Sequence, residues 1–280
     1  MKEKRYHFGL IAKDIKNSVT PYIYEGYGKA HQMQVNFTIY NIEEDRLEAQ
    51  LREAAETLDG FNITMPYKQR ALPYMDVIEE SAHFCGSVNT VSVKNGKLHA
   101  HNTDGWGFVL ALKRKGIELK GKRAVMLGAG GVGASIAYHL YRAQIEHLDI
   151  VNIDLPMAKA LAEKYPDIAC ACDFTEEMLR KCCQNADLFI NASVMGQVGY
   201  DEFQNTDFLD GLKKDAVIFD VNYSNPDSIL VPEARRRGYR AWNGKAMTVC
   251  QGVEAFRLWT GIEVSEADIS NLLASLQIED

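Results

Sequence analysis

Three groups of residues in this 280-residue chain have types and spacings that could do chemistry. The apolar run Arg123-Ala124-Val125-Met126-Leu127 breaks into Gly128-Ala129-Gly130-Gly131-Val132-Gly133 and continues as the helical-looking Ala134 to Leu140. A turn of this kind cradles a dinucleotide pyrophosphate. Gly128 permits the tight reversal, Gly130 lets bare backbone approach the anion, Gly133 lets helix and strand pack closely, and N–H groups at the helix start face the charge. A second apolar run, His147 to Ile153, delivers Asn152 and Asp154 about 20 residues past the last glycine, where a ribose-reading group is expected. If the strand ends at Asn152, the amide takes that position and Asp154 turns toward solvent; otherwise Asp154 is the reader.

The other two groups lie earlier. In Gly60-Phe61-Asn62-Ile63-Thr64-Met65-Pro66-Tyr67-Lys68 a strand is halted by Pro66, and Lys68 is presented just past its end, where a lysine can hold and transfer a proton. Asn102-Thr103-Asp104-Gly105 stands at another strand end and offers a carboxylate to pair with Lys68. Taken singly, Lys68 also reads as a solvated surface lysine and Asp104 as a helix N-cap.

The elements that must position these residues follow from periodicity and punctuation. Strands are expected at Phe8 to Ile11, Val35 to Tyr40 and Phe61 to Met65, with a helix starting near Pro21 and an amphipathic helix over Asp45 to Leu58. A hairpin is expected from Asn89 to Val93 and Lys97 to His101 around Lys94-Asn95-Gly96. A helix over Trp106 to Lys115, the glycine turn, and strands at Leu188 to Asn191 and Val217 to Val221 suit a doubly wound parallel sheet of Rossmann type. The fold class is therefore α/β with two domains: a substrate-binding, catalytic domain over 1–104 plus 247–280, and a dinucleotide-binding domain over 105–246.

Composition limits the partners. The net charge of -7 and the lack of a long basic run argue against nucleic acid. Nothing approaches the roughly 18 continuous apolar residues of a membrane span, and no secretory signal is read, so a cytoplasmic protein is expected. Six cysteines (85, 170, 172, 182, 183 and 250) contain no Cys-x-x-Cys and no matching His spacing, so reduced thiols and no metal site are expected. A monomer and a homodimer are both compatible with the sequence.

The set of motifs, in order, resembles the shikimate dehydrogenase family, including its quinate/shikimate branch. Asn17-Ser18-Val19-Thr20-Pro21 resembles the substrate loop Ser-x-Ser/Thr-Pro, and residues 60–68 resemble Asn-Val-Thr-x-Pro-x-Lys. Gly86-Ser87-Val88-Asn89-Thr90 is similar to Gly-Ala-Val-Asn-Thr, and 102–105 to Asn-Thr-Asp-Gly. Asn191-Ala192-Ser193, Asp220-Val221-Asn222-Tyr223, and the Met247, Gln251 and 255–261 positions after Gly244 resemble the later signatures.

The resemblance implies that Lys68 and Asp104 are the catalytic acid/base pair. It further implies that Ser18, Thr20, Asn62, Thr64, Asn89, Tyr223 and Gln251 join them around a small polyhydroxylated acid. Asn191, Ser193, Val221, Gly244 and Met247 would add to the dinucleotide site, Met247 against the nicotinamide. Ser18 and Thr20 also read as helix caps, and Tyr223, Gln251 and Met247 as ordinary packing residues.

NADP-using members follow the second nucleotide strand with Asn-Arg-Thr/Ser; here the residues are Asn152-Ile153-Asp154. An aliphatic side chain and a carboxylate would meet a 2′-phosphate without a bidentate partner, so NAD is expected over NADP. Thr20, Tyr67 and Arg257-Leu258-Trp259 resemble the NAD-linked quinate/shikimate branch, which implies activity on both shikimate and quinate. A dehydrogenase of another small carbonyl or imine would fit a mismatched Ser18/Thr20/Gln251 set, and a non-catalytic sensor would fit loss of Lys68 or Asp104. All five residues are present.

Overall fold

The computed structural model describes residues 5–226 and 228–279, and the chain divides into two compact units, 1–111 with 248–280 and 112–247. The division expected after residue 104 falls instead inside a helix, Asp104–Arg114, whose first two turns stay with the first unit.

Among the described residues, the first unit is built on six strands: β1 (Arg5–Ala12), β2 (Gln34–Asn41), β3 (Gly60–Ile63), β4 (Val77–Ile78), β5 (Thr90–Lys94) and β6 (Lys97–His101), in the order β2-β1-β3-β5-β6-β4. β1 runs parallel to β2 and β3, whereas β5 is antiparallel to β3 and β6. The β5–β6 hairpin closes through Asn95 and Gly96, both at positive φ, which suits the Asn-Gly sequence. Around this sheet lie α1 (Thr20–Ala30), α2 (Leu47–Thr57), the single turn α3 (Tyr67–Arg70), α4 (Glu80–Cys85) and α5 (Asp104–Arg114).

β3 stops at Ile63, two residues short of the expected Met65. Pro66 has no N–H to continue a ladder, and the chain turns at once, with Tyr67 N–H bonding Thr64 O. The helix expected from Asp45 opens as a 3-10 turn over Glu44–Arg46 before becoming α2.

The second unit is a parallel sheet of β7 (Arg123–Leu127), β8 (His147–Asn152), β9 (Ala169–Asp173), β10 (Leu188–Asn191), β11 (Val217–Asp220) and β12 (Arg240–Asn243), ordered β12-β11-β10-β7-β8-β9. The order reverses between β7 and β10, which is the switch point of a doubly wound sheet. Its helices are α6 (Gly131–Arg142), α7 (Leu155–Ala162), α8 (Glu176–Cys183) and α9 (Leu230–Arg236). β7, β10 and β11 are buried nearly throughout, as strands covered on both faces must be.

The chain ends with α10 (Lys245–Thr260) and α11 (Glu266–Ser275). Most of α10 belongs to the first unit, fixed by an aromatic cluster: Trp259 lies 4.5 Å from Phe8 and 4.7 Å from Tyr24, ring centroid to centroid, and its Nε1 donates to Val91 O. Phe256 and Trp259 are thus part of the core. Among the described residues, no helix is long and apolar enough to cross a membrane.

Candidate active site

Lys68 sits in α3, immediately after the Pro66 turn. Its carbonyl accepts from Val88 N–H, which ties this turn to the loop carrying Asn89. Asp104 opens α5. Lys68 Nζ donates to Asp104 Oδ2 at 2.7 Å, while Asn89 Nδ2 donates to Asp104 Oδ1 at 2.8 Å. The side chains of Lys68 and Asp104 are 18% and 10% exposed, which shields the pair from bulk water yet leaves it open to a ligand. The carboxylate is therefore engaged at both oxygens and does not serve merely as a helix cap.

Behind the pair runs a continuous polar chain, every member buried or half-buried. Asn89 Oδ1 accepts from Thr103 N–H at 2.8 Å, and Thr103 Oγ1 donates to Gln251 Oε1 at 3.0 Å, bringing α10 into the site. Close approach of α5 and α10 makes this possible, since a Cβ on Gly107 would stand 2.6 Å from Gln251 N. Asn62 Nδ2 donates to Asn89 O and Thr90 Oγ1, and Tyr24 OH donates to Asn62 Oδ1 at 2.7 Å. Burial pushes the Tyr24 phenol well above its usual range, so it stays a donor. His101, the last residue of β6 and bonded to Ser92, is pushed down to about 4 by burial and is neutral at pH 7.

Asn62, Lys68, Asn89, Asp104 and Gln251 thus form one network. Ser18 and Thr20 form a separate pair, Ser18 Oγ donating to Thr20 Oγ1 at 2.9 Å at the start of α1, and Ser18 lines an open cavity of about 660 Å³ with Lys16, Tyr22 and Glu25. Thr64 is half-buried, its N–H held by Ile11 O. Tyr67, beside Lys68, is fully buried with its hydroxyl on Ile42 O, and holds the turn in place. Tyr24, Thr103 and Asn102, whose Oδ1 accepts from Asp104 N–H at 3.1 Å, are members of the network that motif reading did not assign. Tyr24 carried a signal of spacing only, one turn after Pro21 on the inward face of α1.

In the second unit the glycine turn joins β7 to α6. Gly128 has φ 108, and a Cβ there would lie 2.6 Å from Ala192 backbone atoms; on Gly133 it would lie 2.3 Å from Gly128 O. A Cβ on Gly130 would meet nothing within 4 Å, so this backbone is open to an approaching anion at the start of α6. Ala129, Gly131 and Val132 complete that turn. These residues fit a dinucleotide pyrophosphate.

β8 ends at Asn152, whose Oδ1 accepts from Ala129 N–H at 3.3 Å. The amide therefore stands at the strand end, and Asp154 is an exposed N-cap of α7, accepting from Met157 N–H. Ile153 between them is 81% exposed.

Asn191 is fully buried and knits the neighbouring strand ends: its Nδ2 donates to Asp220 Oδ1 and Met195 O, and its Oδ1 accepts from Ser193 Oγ. Asn222 donates to Ser193 O and Met195 O, a role motif reading did not give it. Asp220 is buried, which raises its carboxyl to about 7. Tyr223 is exposed and lines a cavity of about 510 Å³ with Asp220, Asn222, Asn243 and Lys245. Val221 donates its N–H to Asn191 O, a Cβ on Gly244 would collide with Val221 O, and Met247 is buried.

Residues 10–91 match the family model for the shikimate dehydrogenase substrate binding domain, and residues 109–230 match that for shikimate / quinate 5-dehydrogenase. The chain belongs to the shikimate dehydrogenase family. It is similar to a shikimate dehydrogenase (NADP(+)) of Alkaliphilus metalliredigens, 33% identical over 95% of this chain and 96% of the relative. Among solved structures it is similar to shikimate 5-dehydrogenase of Listeria monocytogenes in complex with shikimate and NAD, at TM-score 0.85 and 26% identity, covering 98% of each chain. It is also similar to quinate dehydrogenase of Corynebacterium glutamicum in complex with NAD, at TM-score 0.85 and 29% identity, covering 98% of this chain and 100% of the other. Membership makes the chain an oxidoreductase with a nicotinamide dinucleotide cofactor.

Proposed function

We propose that this protein interconverts shikimate and 3-dehydroshikimate, and quinate and 3-dehydroquinate, using NAD in preference to NADP. The observation that carries the reading is the Lys68–Asp104 pair, shielded, held by Asn89 and linked through Thr103 to Gln251. The unit formed by 1–111 and 248–280 binds substrate; the unit 112–247 binds the dinucleotide. The nicotinamide, when bound, accepts or returns the hydride.

Lys68 takes the hydroxyl proton as the ring carbinol is oxidised. In reduction its ammonium stabilises the growing negative charge on the carbonyl oxygen and protonates it. Asp104 holds the amine in place. Ser18, Thr20, Asn62, Thr64, Asn89 and Gln251 of the first unit surround the ring hydroxyls and carboxylate; the set contains no arginine, so hydroxyls and amides hold the acid.

NAD preference rests on Ile153 and Asp154. Residues 152–158 contain no cation, and an exposed aliphatic side chain stands where a 2′-phosphate would need one. Asn152, at the end of β8 and bonded to Ala129 N–H of the glycine turn, is assigned to the adenosine ribose, and Asp154 stays on the cap of α7. The relatives named for NADP make this the finer point to test, and the similarity to an NAD-bound quinate dehydrogenase supports dual substrate use.

A spectrophotometric assay of both acids against both cofactors tests the reading. Higher kcat/KM with NAD and measurable turnover of both acids are expected. A clear NADP preference would remove the cofactor assignment, and complete inertness toward quinate would remove dual use.

A further inference from the structure

A dense gathering of ligating side chains lies away from every residue assigned above, at the outer edge of the second unit's sheet. β9 is the edge strand, running parallel to β8 with Asp149 opposite Cys170 and Val151 opposite Cys172. The two-residue period of strands puts His147, Asp149, Cys170 and Cys172 on one face. α8 then lays Cys182 against them, its Sγ 3.6 Å from Cys172 Sγ. A carboxylate oxygen of Asp149 and these two sulfurs lie within 4.8 Å of one another, and Asp149, His147 and Cys170 form a second, overlapping group of the same compactness. His147 Nε2 is 2.9 Å from Asp149 Oδ1.

The spacing suits a metal. Zinc–thiolate bonds of about 2.3 Å in a tetrahedron place two sulfurs roughly 3.8 Å apart, so Cys172 and Cys182 already stand at that separation. A disulfide requires about 2.05 Å and has no use for a converging carboxylate. Two thiols and a carboxylate also match zinc in softness better than they match calcium or magnesium.

We propose that Asp149, Cys172 and Cys182 bind one zinc-class divalent cation, with His147 orienting the Asp149 carboxylate and water completing the tetrahedron. Binding converts two thiols to thiolates and releases two protons to solvent, with an oxygen of Asp149 as the third protein ligand. The metal ties the half-exposed edge strand β9 and helix α8 to β8, so its role is to clamp the sheet edge and not to take part in hydride transfer. Linear spacing hides the site because its ligands come from three elements, and the ligand missing from the cysteine pattern is Asp149 on the adjacent strand.

The test is a titration of the full-length protein, purified under reductant and stripped with chelator, using Co2+ as the spectroscopic stand-in. One equivalent should bind with a thiolate-to-cobalt charge-transfer band and tetrahedral ligand-field absorption, be displaced by Zn2+, and release two protons in weak buffer. Zn2+ should also raise the melting temperature. The Cys172→Ser/Cys182→Ser double variant should lose the charge-transfer band while keeping the wild-type circular dichroism and NAD-dependent turnover. If that variant does not fold, His147→Ala serves instead and should weaken Zn2+ binding by about tenfold or more. Absence of the band in the wild type, its survival in the double variant, unchanged Zn2+ affinity in His147→Ala, or a Cys172–Cys182 disulfide in Zn2+-treated protein would each overturn the assignment.

Discussion

Lys68 and Asp104, 36 residues apart in sequence, meet at 2.7 Å because a proline-stopped strand and the first residue of a helix deliver them to the same side of one sheet. Asn89 holds the opposite carboxylate oxygen, so the aspartate cannot swing away from the amine without breaking a buried bond.

That arrangement makes Asn89 a positioning residue. Asn89→Ala leaves Thr103 N–H and Asp104 Oδ1 without their partner, and stability should fall by about 1–3 kcal/mol. Turnover should fall with it at temperatures where the variant remains folded. Thermal melts and steady-state kinetics on one preparation check both, and an unaltered kcat would show that Asp104 needs no such support.

Cofactor choice is attributed to the residues after β8. Ile153→Arg supplies the missing cation, and a charge-assisted bond to a 2′-phosphate should shift the ratio of kcat/KM toward NADP by about tenfold or more. An unchanged ratio would place the discrimination elsewhere.

At the glycine turn two substitutions should separate folding from binding. Gly128→Ala puts a Cβ 2.6 Å from backbone at φ 108 and should lower stability by at least about 1 kcal/mol. Gly130→Ala meets open space, so the melting temperature should hold while dinucleotide affinity drops. Equal melts and equal affinities in both variants would contradict the phosphate cradle.

Asp220 gives a pH dependence with a definite sign. Its carboxyl is raised to about 7 by burial, against an ordinary 3.8, so between these values the folded state binds a proton that the unfolded chain does not. Stability from this group is therefore lost as pH rises from about 4 to 7, by at most roughly 4 kcal/mol. Asp220→Asn keeps the acceptor for Asn191 and Asn222 and should melt higher than the wild type at pH 8, with the difference shrinking toward pH 5. Melts across that range check it; a gap that widens in acid would mean Asp220 is ionised in the folded state.

Much of this site was legible in the sequence because its residues sit at strand ends, where Pro66, Gly105 and the 128–133 glycines leave strong punctuation. The network behind it was less so. Tyr24 and Thr103 look like any helix or loop residue until tertiary packing shows what their hydroxyls touch. The register after β8 turned on a single residue, which no periodicity resolves, and the structure places Asn152 at the strand end. The region holding α7, β9 and α8 lacked a clear pattern, since β9 is a half-exposed edge strand of alternating alanine and cysteine.

The central claim is that Lys68 carries the proton while a separate set of residues grips the dinucleotide. The most direct measurement is turnover of Lys68→Ala alongside its NAD affinity by fluorescence titration. The account predicts a fall in kcat of about 10²–10⁴-fold with NAD binding essentially unchanged; a variant turning over at the wild-type rate would contradict it.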